Sequence, residues 1–346
     1  MATDQRRAED ASDPIAYFLQ DMTYHGKTER TRAAYERVLR EFEAFLGTPA
    51  ENPMGVDKPV SAATRRDCMS WIHELRGRTA ESTVATYASY LHRFYDYMTE
   101  VGEFDANPMA LVVEEMDERI DTNPTRRDVS VAEMRTFVAG VTHPLDRAIV
   151  LTLLKTGVRA GELCNLDLRD LSLSGTDHPT RGQLDGRDDS LYVSPEPNVG
   201  DPYNGESRTA SNKRERETVI PVDQELTRAL KRWLAVRPDP RSPADPLFTT
   251  TRESWGTRIT PDIVHHVVTS HAADHGWHRQ GGGAEENVTP HYFRHFFTTH
   301  LRDRTGDRGI VKYLRGDVAE DIIDTYTHNW GDRVREVYER NVYSLS

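Results

Sequence analysis

Apolar residues recur at intervals of three and four along the first third of the chain. Tyr35, Val38, Leu39, Phe42, Phe45 and Leu46 fall on one face and Gly47 follows as a stop, which predicts an amphipathic helix. A second helix is expected from the box-like start at Thr64 and Asp67, burying Cys68, Trp71, Ile72 and Leu75 ahead of Gly77. A third runs from Ser82, with Val84, Tyr87, Leu91, Phe94, Tyr95 and Met98 in one stripe and Gly102 closing it. Together they predict a small three-helix domain over residues 13–115. The polar, unpatterned residues 1–12 ahead of it read as a disordered start.

The charged stretch containing Asn123 and Pro124 reads as a linker over residues 116–128. A second domain, 129–346, opens with the capping box Ser130 and Glu133. Helical patterning dominates it, broken by a polar, Gly/Pro/Asp-rich region over 174–212. Within and after that region, residues 190–193 and 217–222 read as short strands of one small sheet. From Pro261 onward the pattern is helical again, and residues 281–283, three glycines without a strand-turn-helix setting, read as a loop. Residues 333–342 offer Val334, Val337, Tyr338 and Val342 for packing, either in cis or against a neighbouring subunit. The expected fold class is mainly α with a small β-sheet: an all-helical domain followed by an α+β domain.

Composition narrows the classes of function. No apolar run approaches the roughly 18 to 20 residues that span a bilayer, and the first residues lack a signal-peptide core, so a soluble cytoplasmic protein with no membrane partner is expected. Cys68 and Cys164 are too few for a disulfide framework or a thiolate zinc site. His271 and His275 stand one turn apart, the spacing of a zinc-binding helix, but position 272 is Ala where that motif carries its glutamate; no metal is expected. With 56 acidic against 44 basic residues the formal charge is −12, which by itself argues against a nucleic-acid partner. Only six of the basic residues are Lys; a Lys-poor, acid-rich surface is expected of a protein adapted to a very salty cytoplasm, as in a halophilic archaeon. DNA contacts would then have to be concentrated and Arg-rich. Arg30, Arg32, Arg37, Arg40, Arg65, Arg66, Arg76 and Arg78 lie off the apolar stripes, and fit either a solvated face or a track for a phosphate backbone.

Four segments carry candidate chemistry. In TGVRAGELCNL, Arg159 follows a helix and Gly157, with Glu162 and Leu163 one turn on; alone, the charged two could be a surface pair. In SNKRERETVIP, Lys213 stands just before a strand-like run, where a lone lysine is ordinarily solvated; Arg214 and Arg216 are close enough for a shift of register to put either in its place. In TPHYFRHFFTTHL, His291 and Arg294 are three apart on a helix and share a face. In YLRGDVAEDIIDTYTHNW, Tyr326 sits in a polar frame rather than an apolar stripe.

The order and spacing of these segments resemble the catalytic pattern of the tyrosine recombinase (phage integrase) family, and the first domain resembles its core-binding domain. The resemblance implies that Arg159 and Arg294 hold the scissile phosphate with His291 beside them. Two planar guanidinium forks suit phosphate oxygens and the charge that accumulates in the transition state. It further implies that Lys213, on a β-hairpin, protonates the leaving 5′ oxygen while Tyr326 attacks phosphorus and forms a 3′-phosphotyrosyl link. No cofactor and no ATP would be needed, and Glu162 would support the site by fixing His or Arg. Tyr313, Tyr338 and Tyr343 also lie in the last segment, but only Tyr326 has the YTH setting, with His328 two residues on.

One position departs from the family pattern. Nine residues before the nucleophile, where the family carries His or Trp, stands Asp317, in the row Leu314-Arg315-Gly316-Asp317. A carboxylate there repels phosphate, and Arg315 is the neighbour able to take over the contact. The resemblance thus implies a site-specific recombinase acting on double-stranded DNA, self-associating as a tetramer in the synaptic complex. A type IB topoisomerase-like relaxing enzyme, or a DNA-binding regulator that kept the fold and lost cutting through Asp317, remains open on the sequence.

Overall fold

The computed structural model describes residues 13–48, 57–120, 125–252, 254–317 and 330–346. The chain divides into two compact units, residues 1–124 and 125–346. The disordered start expected for residues 1–12, and Asn123 and Pro124 of the expected linker, lie outside the described residues.

The first unit is built from helices α1 (Pro14–Tyr24), α2 (Glu29–Leu46), α3 (Arg65–Arg78), α4 (Glu81–Glu100) and α5 (Ala110–Glu115). Helix α1 corrects the three-helix expectation. Asp13 accepts from the amides of Ile15 and Ala16 at 3.1 and 3.2 Å, Pro14 occupies the first turn, and Ile15, Phe18 and Met22 are buried. That is an N-cap, a proline and an i, i+3, i+7 stripe, compressed into eleven residues whose polar neighbours mask the periodicity. Helix α3 starts at the anticipated Thr64–Asp67 capping box but runs past Gly77 to Arg78, because nothing lies within 4 Å of where a Gly77 side chain would be and no positive φ is needed there. Phe18, Phe42, Trp71, Leu91, Phe94 and Tyr95 are at the centre of the core. Several arginines of this unit are already engaged: Arg40 with Asp13 and Glu43, Arg65 with Glu115, Arg76 with Glu118, and Arg78 with Glu41 and Glu74.

The second unit continues with α6 (Val131–Gly140), α7 (Pro144–Thr156) and α8 (Ala160–Cys164). Strands β1 (Leu171–Ser172), β2 (Ser190–Val193), β3 (Pro202–Tyr203), β4 (Glu206–Ser207) and β5 (Thr218–Pro221) follow. Then come α9 (Gln224–Leu234), α10 (Pro261–Asp274), α11 (Pro290–Thr305), α12 (Arg308–Arg315) and α13 (Trp330–Asn341). Strands β1, β2 and β5 form one antiparallel sheet in that order, with Leu191 opposite Ile220, and β3 pairs with β4 in a separate hairpin. The small sheet and the helical remainder match the fold class read from the sequence.

Every residue of α7 from Ala148 to Thr156 is buried, so this helix is the axis of the unit. At its end the buried Lys155 ammonium lies 2.6 Å from Asp223 and 2.5 Å from Glu225 and also donates to the carbonyl of Tyr343. Tyr338 donates to the Lys155 carbonyl at 2.9 Å, and the ring of Tyr343 is buried with it, so α13 and the residues after it pack in cis on the unit that carries them. No helix among the described residues is long and apolar enough to cross a membrane.

Candidate active site

The site begins where α7 stops. Gly157 has φ of +65°, and a Cβ there would lie 2.3 Å from Cδ1 of Phe297, so both the left-handed turn and the close approach to α11 require glycine. The turn makes Arg159 the N-cap of the short helix α8. Glu162, 1% exposed, accepts the Arg159 amide at 2.9 Å and Nη1 of the same arginine at 2.8 Å, holding that residue at both backbone and side chain.

Helix α11 starts at the N-cap Thr289 with Pro290 in its first turn, which places His291 and Arg294 on a common face. Arg294 is 3% exposed, and both its terminal nitrogens are hydrogen-bonded. Its Nη1 donates to the Gly157 carbonyl at 2.6 Å; its Nη2 donates to the Arg315 carbonyl at 3.0 Å and to Oδ1 of Asp317 at 2.8 Å. Arg159 Nη2 donates to the same Oδ1 at 3.1 Å, and Arg315 Nη2 lies 2.9 Å from the other carboxylate oxygen. Asp317 follows Gly316, which closes α12 with φ of +68°.

Arginine 159, Glu162, Arg294, Arg315 and Asp317 are therefore gathered in one cluster. His291 is exposed one turn before Arg294. Lys213 joins through its backbone alone: its carbonyl accepts from Arg159 Nη1 at 3.2 Å, while its side chain is exposed. It lies in the irregular run ahead of β5, at the end of the long connection that joins β2 to its antiparallel partner β5. Tyr326 lies outside the described residues.

A residue that the sequence offered only as a neighbour able to shift the register at Lys213 completes the cluster. Arg214, 4% exposed, has Nε 3.2 Å from Oε1 of Glu162, and its Nη2 donates to Oε2 of Glu162 and to the Leu314 carbonyl, both at 3.2 Å. Its signal is the period of an extended segment, in which alternate residues point to opposite sides. Asn212 and Arg214 turn inward and Lys213 outward, but the charge of an arginine gives no hint of burial.

Packing four guanidinium groups together has electrostatic consequences. Burial, then repulsion from Arg159, pulls Arg294 down to about 10, which leaves it cationic at neutral pH. Burial likewise lowers Arg214, with Glu162 opposing. His291 is pushed below its ordinary 6.5, first by desolvation and then by Arg126, Arg294, Arg315 and Arg159, so its ring is neutral at pH 7 and able to accept a proton. The histidines one turn apart, His271 on α10 and His275 at its C-cap, have separate partners: His271 Nε2 is 3.0 Å from Asp146, and the His275 ring lies edge-on to Trp277.

Guanidinium groups from separate segments of a helical α+β domain, converging on a single carboxylate beside a neutral imidazole, define an oxyanion-binding site. Residues 129–331 match the model of the phage integrase family, and residues 15–102 match that of the phage integrase N-terminal SAM-like domain. The chain belongs to the phage integrase family, the tyrosine recombinases. It is 26% identical over 333 residues to tyrosine recombinase XerC of Pelobacter propionicus, covering 94% of this chain and 95% of that one. To tyrosine recombinase XerA of Pyrococcus horikoshii it is 23% identical over 334 residues, covering 95% and 93%. Among solved structures, Tn1549 transposon integrase in complex with transposon right end DNA has a TM-score of 0.61 at 19% identity, covering 94% of this chain and 98% of that one. A lambda integrase dimer bound to a COC′ core site has a TM-score of 0.60 at 14% identity, covering 90% and 96%. Both share the fold.

Proposed function

We propose that the chain is a site-specific recombinase that cuts and rejoins duplex DNA through a 3′-phosphotyrosyl link at Tyr326. Residues 13–115 serve as the core-binding domain, 116–128 as the linker and 129–346 as the catalytic domain. The observation that carries this reading is the convergence of Arg159 and Arg294 on one anionic oxygen, at 3.1 and 2.8 Å. With a phosphodiester in that seat, the two cations offset the charge gained by the non-bridging oxygens as phosphorus becomes five-coordinate. The Tyr326 oxygen bonds to phosphorus, the bond to the 5′ oxygen breaks, and Lys213 supplies the proton that oxygen needs to leave. His291, held neutral, can take the phenol proton. The ester energy stays in the phosphotyrosyl link, so rejoining by a 5′ hydroxyl needs no ATP.

Recombination joins two sites, each cut on both strands, which calls for four active subunits; we assign a tetramer on DNA and a cytoplasm of high salt. The test is covalent trapping in high salt on nicked duplexes from the host replicon. Wild type should give an adduct that survives denaturation and Tyr326→Phe none. An adduct from both would refute the assignment of Tyr326. Relaxation of plasmid DNA without strand exchange would move the reading to a topoisomerase. The carboxylate in the phosphate seat favours one other reading, a DNA-binding regulator, which folded wild type that binds these duplexes without an adduct would support.

A further inference from the structure

The arginine cluster already holds an anion of its own. Asp317 offers two oxygens on one carbon: Oδ1 meets Arg159 and Arg294 at 3.1 and 2.8 Å, and Oδ2 meets Arg315 at 2.9 Å. A phosphodiester likewise offers two anionic oxygens on one centre, and guanidinium forks fit either. The cluster contains a second carboxylate, and the two are held differently. Glu162 is buried, bound to a backbone amide and to two arginines. The Asp317 side chain is 29% exposed, and among the described residues its carboxylate is held by three arginine side chains, with no backbone amide.

We propose that Asp317 is a displaceable internal anion: in the DNA-free chain its carboxylate sits in the seat of the scissile phosphate, and DNA engages by expelling it. The inference rests on the reading of Arg159 and Arg294 as the phosphate-holding pair. Both anions cannot share the seat, because like charges in contact in a partly buried site repel strongly. Without that anion, the guanidinium groups of Arg159, Arg294 and Arg315 would face one another with only Glu162, bound to Arg159, to offset them. Asp317 therefore keeps the cluster assembled when no DNA is bound, and it sets a threshold that weakly held anions do not pass. Its position after Gly316, at φ of +68°, and its exposure leave the carboxylate a path to solvent. The residue that departs from the family pattern becomes a selectivity device.

The test uses the full chain at fixed high ionic strength, with potassium phosphate replacing potassium chloride and thermal unfolding as the readout. Asp317→Asn should melt below wild type in chloride. Phosphate should then stabilise it with an apparent affinity at least tenfold tighter than that of wild type, a response that Arg159→Ala in the same background removes. Asp317→Glu, which keeps the charge, should respond to phosphate like wild type, and it serves as the comparison if the Asn variant folds poorly. Equal phosphate responses in wild type and Asp317→Asn would overturn the proposal, as would a response that survives loss of Arg159. An intact Tyr326 adduct with equal phosphate responses would sink the displaceable anion alone. A tenfold gain with no Tyr326 adduct would sink the recombinase reading and leave the anion seat standing.

Discussion

Gly157→Ala tests the link between the fold and the arginine cluster. The added methyl group would have to occupy space 2.3 Å from Cδ1 and 2.8 Å from Cε1 of Phe297, at a backbone φ of +65°. Left-handed backbone costs a non-glycine residue about 1–2 kcal/mol, and overpacking a core site costs about 1–3 kcal/mol. The sum, about 2–5 kcal/mol, corresponds to a fall in melting temperature on the order of 10 °C for a domain of this size. Function should suffer beyond stability, because the Gly157 carbonyl accepts from Arg294 at 2.6 Å and any shift of the turn moves the arginine proposed to hold the phosphate. Denaturant unfolding should therefore be paired with adduct formation on nicked duplex, measured well below the melting transition. Gly140→Ala is the control: nothing lies within 4 Å of its Cβ and its backbone is helical, so it should be neutral or slightly stabilising. Phe297→Leu should recover part of the loss by vacating the space the methyl needs. A Gly157→Ala variant as stable as Gly140→Ala would refute the argument, and so would normal stability with adduct formation restored by no change at Phe297.

Other perturbations follow from the same contacts. Arg214→Met removes the cation from the buried Glu162 and the donor from the Leu314 carbonyl; it should cost about 3 kcal/mol in chemical denaturation. Arg214→Lys should be intermediate, keeping charge without the fork. The acid limb of adduct formation should have its midpoint below the ordinary histidine value of 6.5, since His291 loses its proton-accepting form only as pH falls through a lowered value. Arg126→Ala should move that limb upward, and an unmoved limb would remove His291 from the role. Although burial alone would raise Glu225, hydrogen bonds from Lys155, Ser346 and the Leu345 amide hold it down to about 2. Its contribution to stability is therefore present above pH 4.5 and lost as pH falls towards 2, which acid titration of the unfolding midpoint can follow. Lys155→Met should weaken that dependence, leaving the Ser346 and Leu345 hydrogen bonds, and cost about 3–5 kcal/mol, because two carboxylates lose a fully buried partner.

What the sequence discloses and what it withholds have physical causes. Helices with long apolar stripes, such as α2, α3 and α4, the first two with side-chain caps as well, are legible because periodicity and capping both report on the nearest turn of chain. Helix α1 carries the same signals over too few residues to stand out. The sheet is legible as alternation, whereas the hairpin β3–β4 inside the β2–β5 connection is not, because it is anchored by remote ion pairs: Arg208 on Asp167, and Glu206 on Arg258. At the site, Arg159, Glu162, His291 and Arg294 are visible through local spacing. That Arg214 turns inward, and that Asp317 lies between the arginines, depends on contacts between positions 52 and 158 residues apart in the chain. Local pattern contains neither.

The net charge of −12 is at odds with DNA binding only if charge acts at long range. At molar salt the Debye length is about 3 Å, so surface carboxylates beyond direct contact exert little force on a phosphate. Groups in contact within a partly buried site are screened far less. In the arginine cluster four guanidinium groups face Glu162 and Asp317, an excess of two positive charges that becomes three when Asp317 leaves the seat. High salt thus suppresses the repulsion from the acidic surface while sparing the attraction at the site. It also weakens every exposed phosphate contact elsewhere, which places a larger share of recognition on the clustered arginines. A chain of this composition should bind DNA with a shallower dependence on salt than a basic relative whose affinity is spread over exposed lysines. Measuring the slope of log affinity against log salt for Tyr326→Phe, alone and combined with Arg159→Ala, separates the two contributions. If the slope is as steep as for a basic recombinase and indifferent to Arg159, affinity resides in exposed contacts and the account of how an acidic chain holds DNA fails.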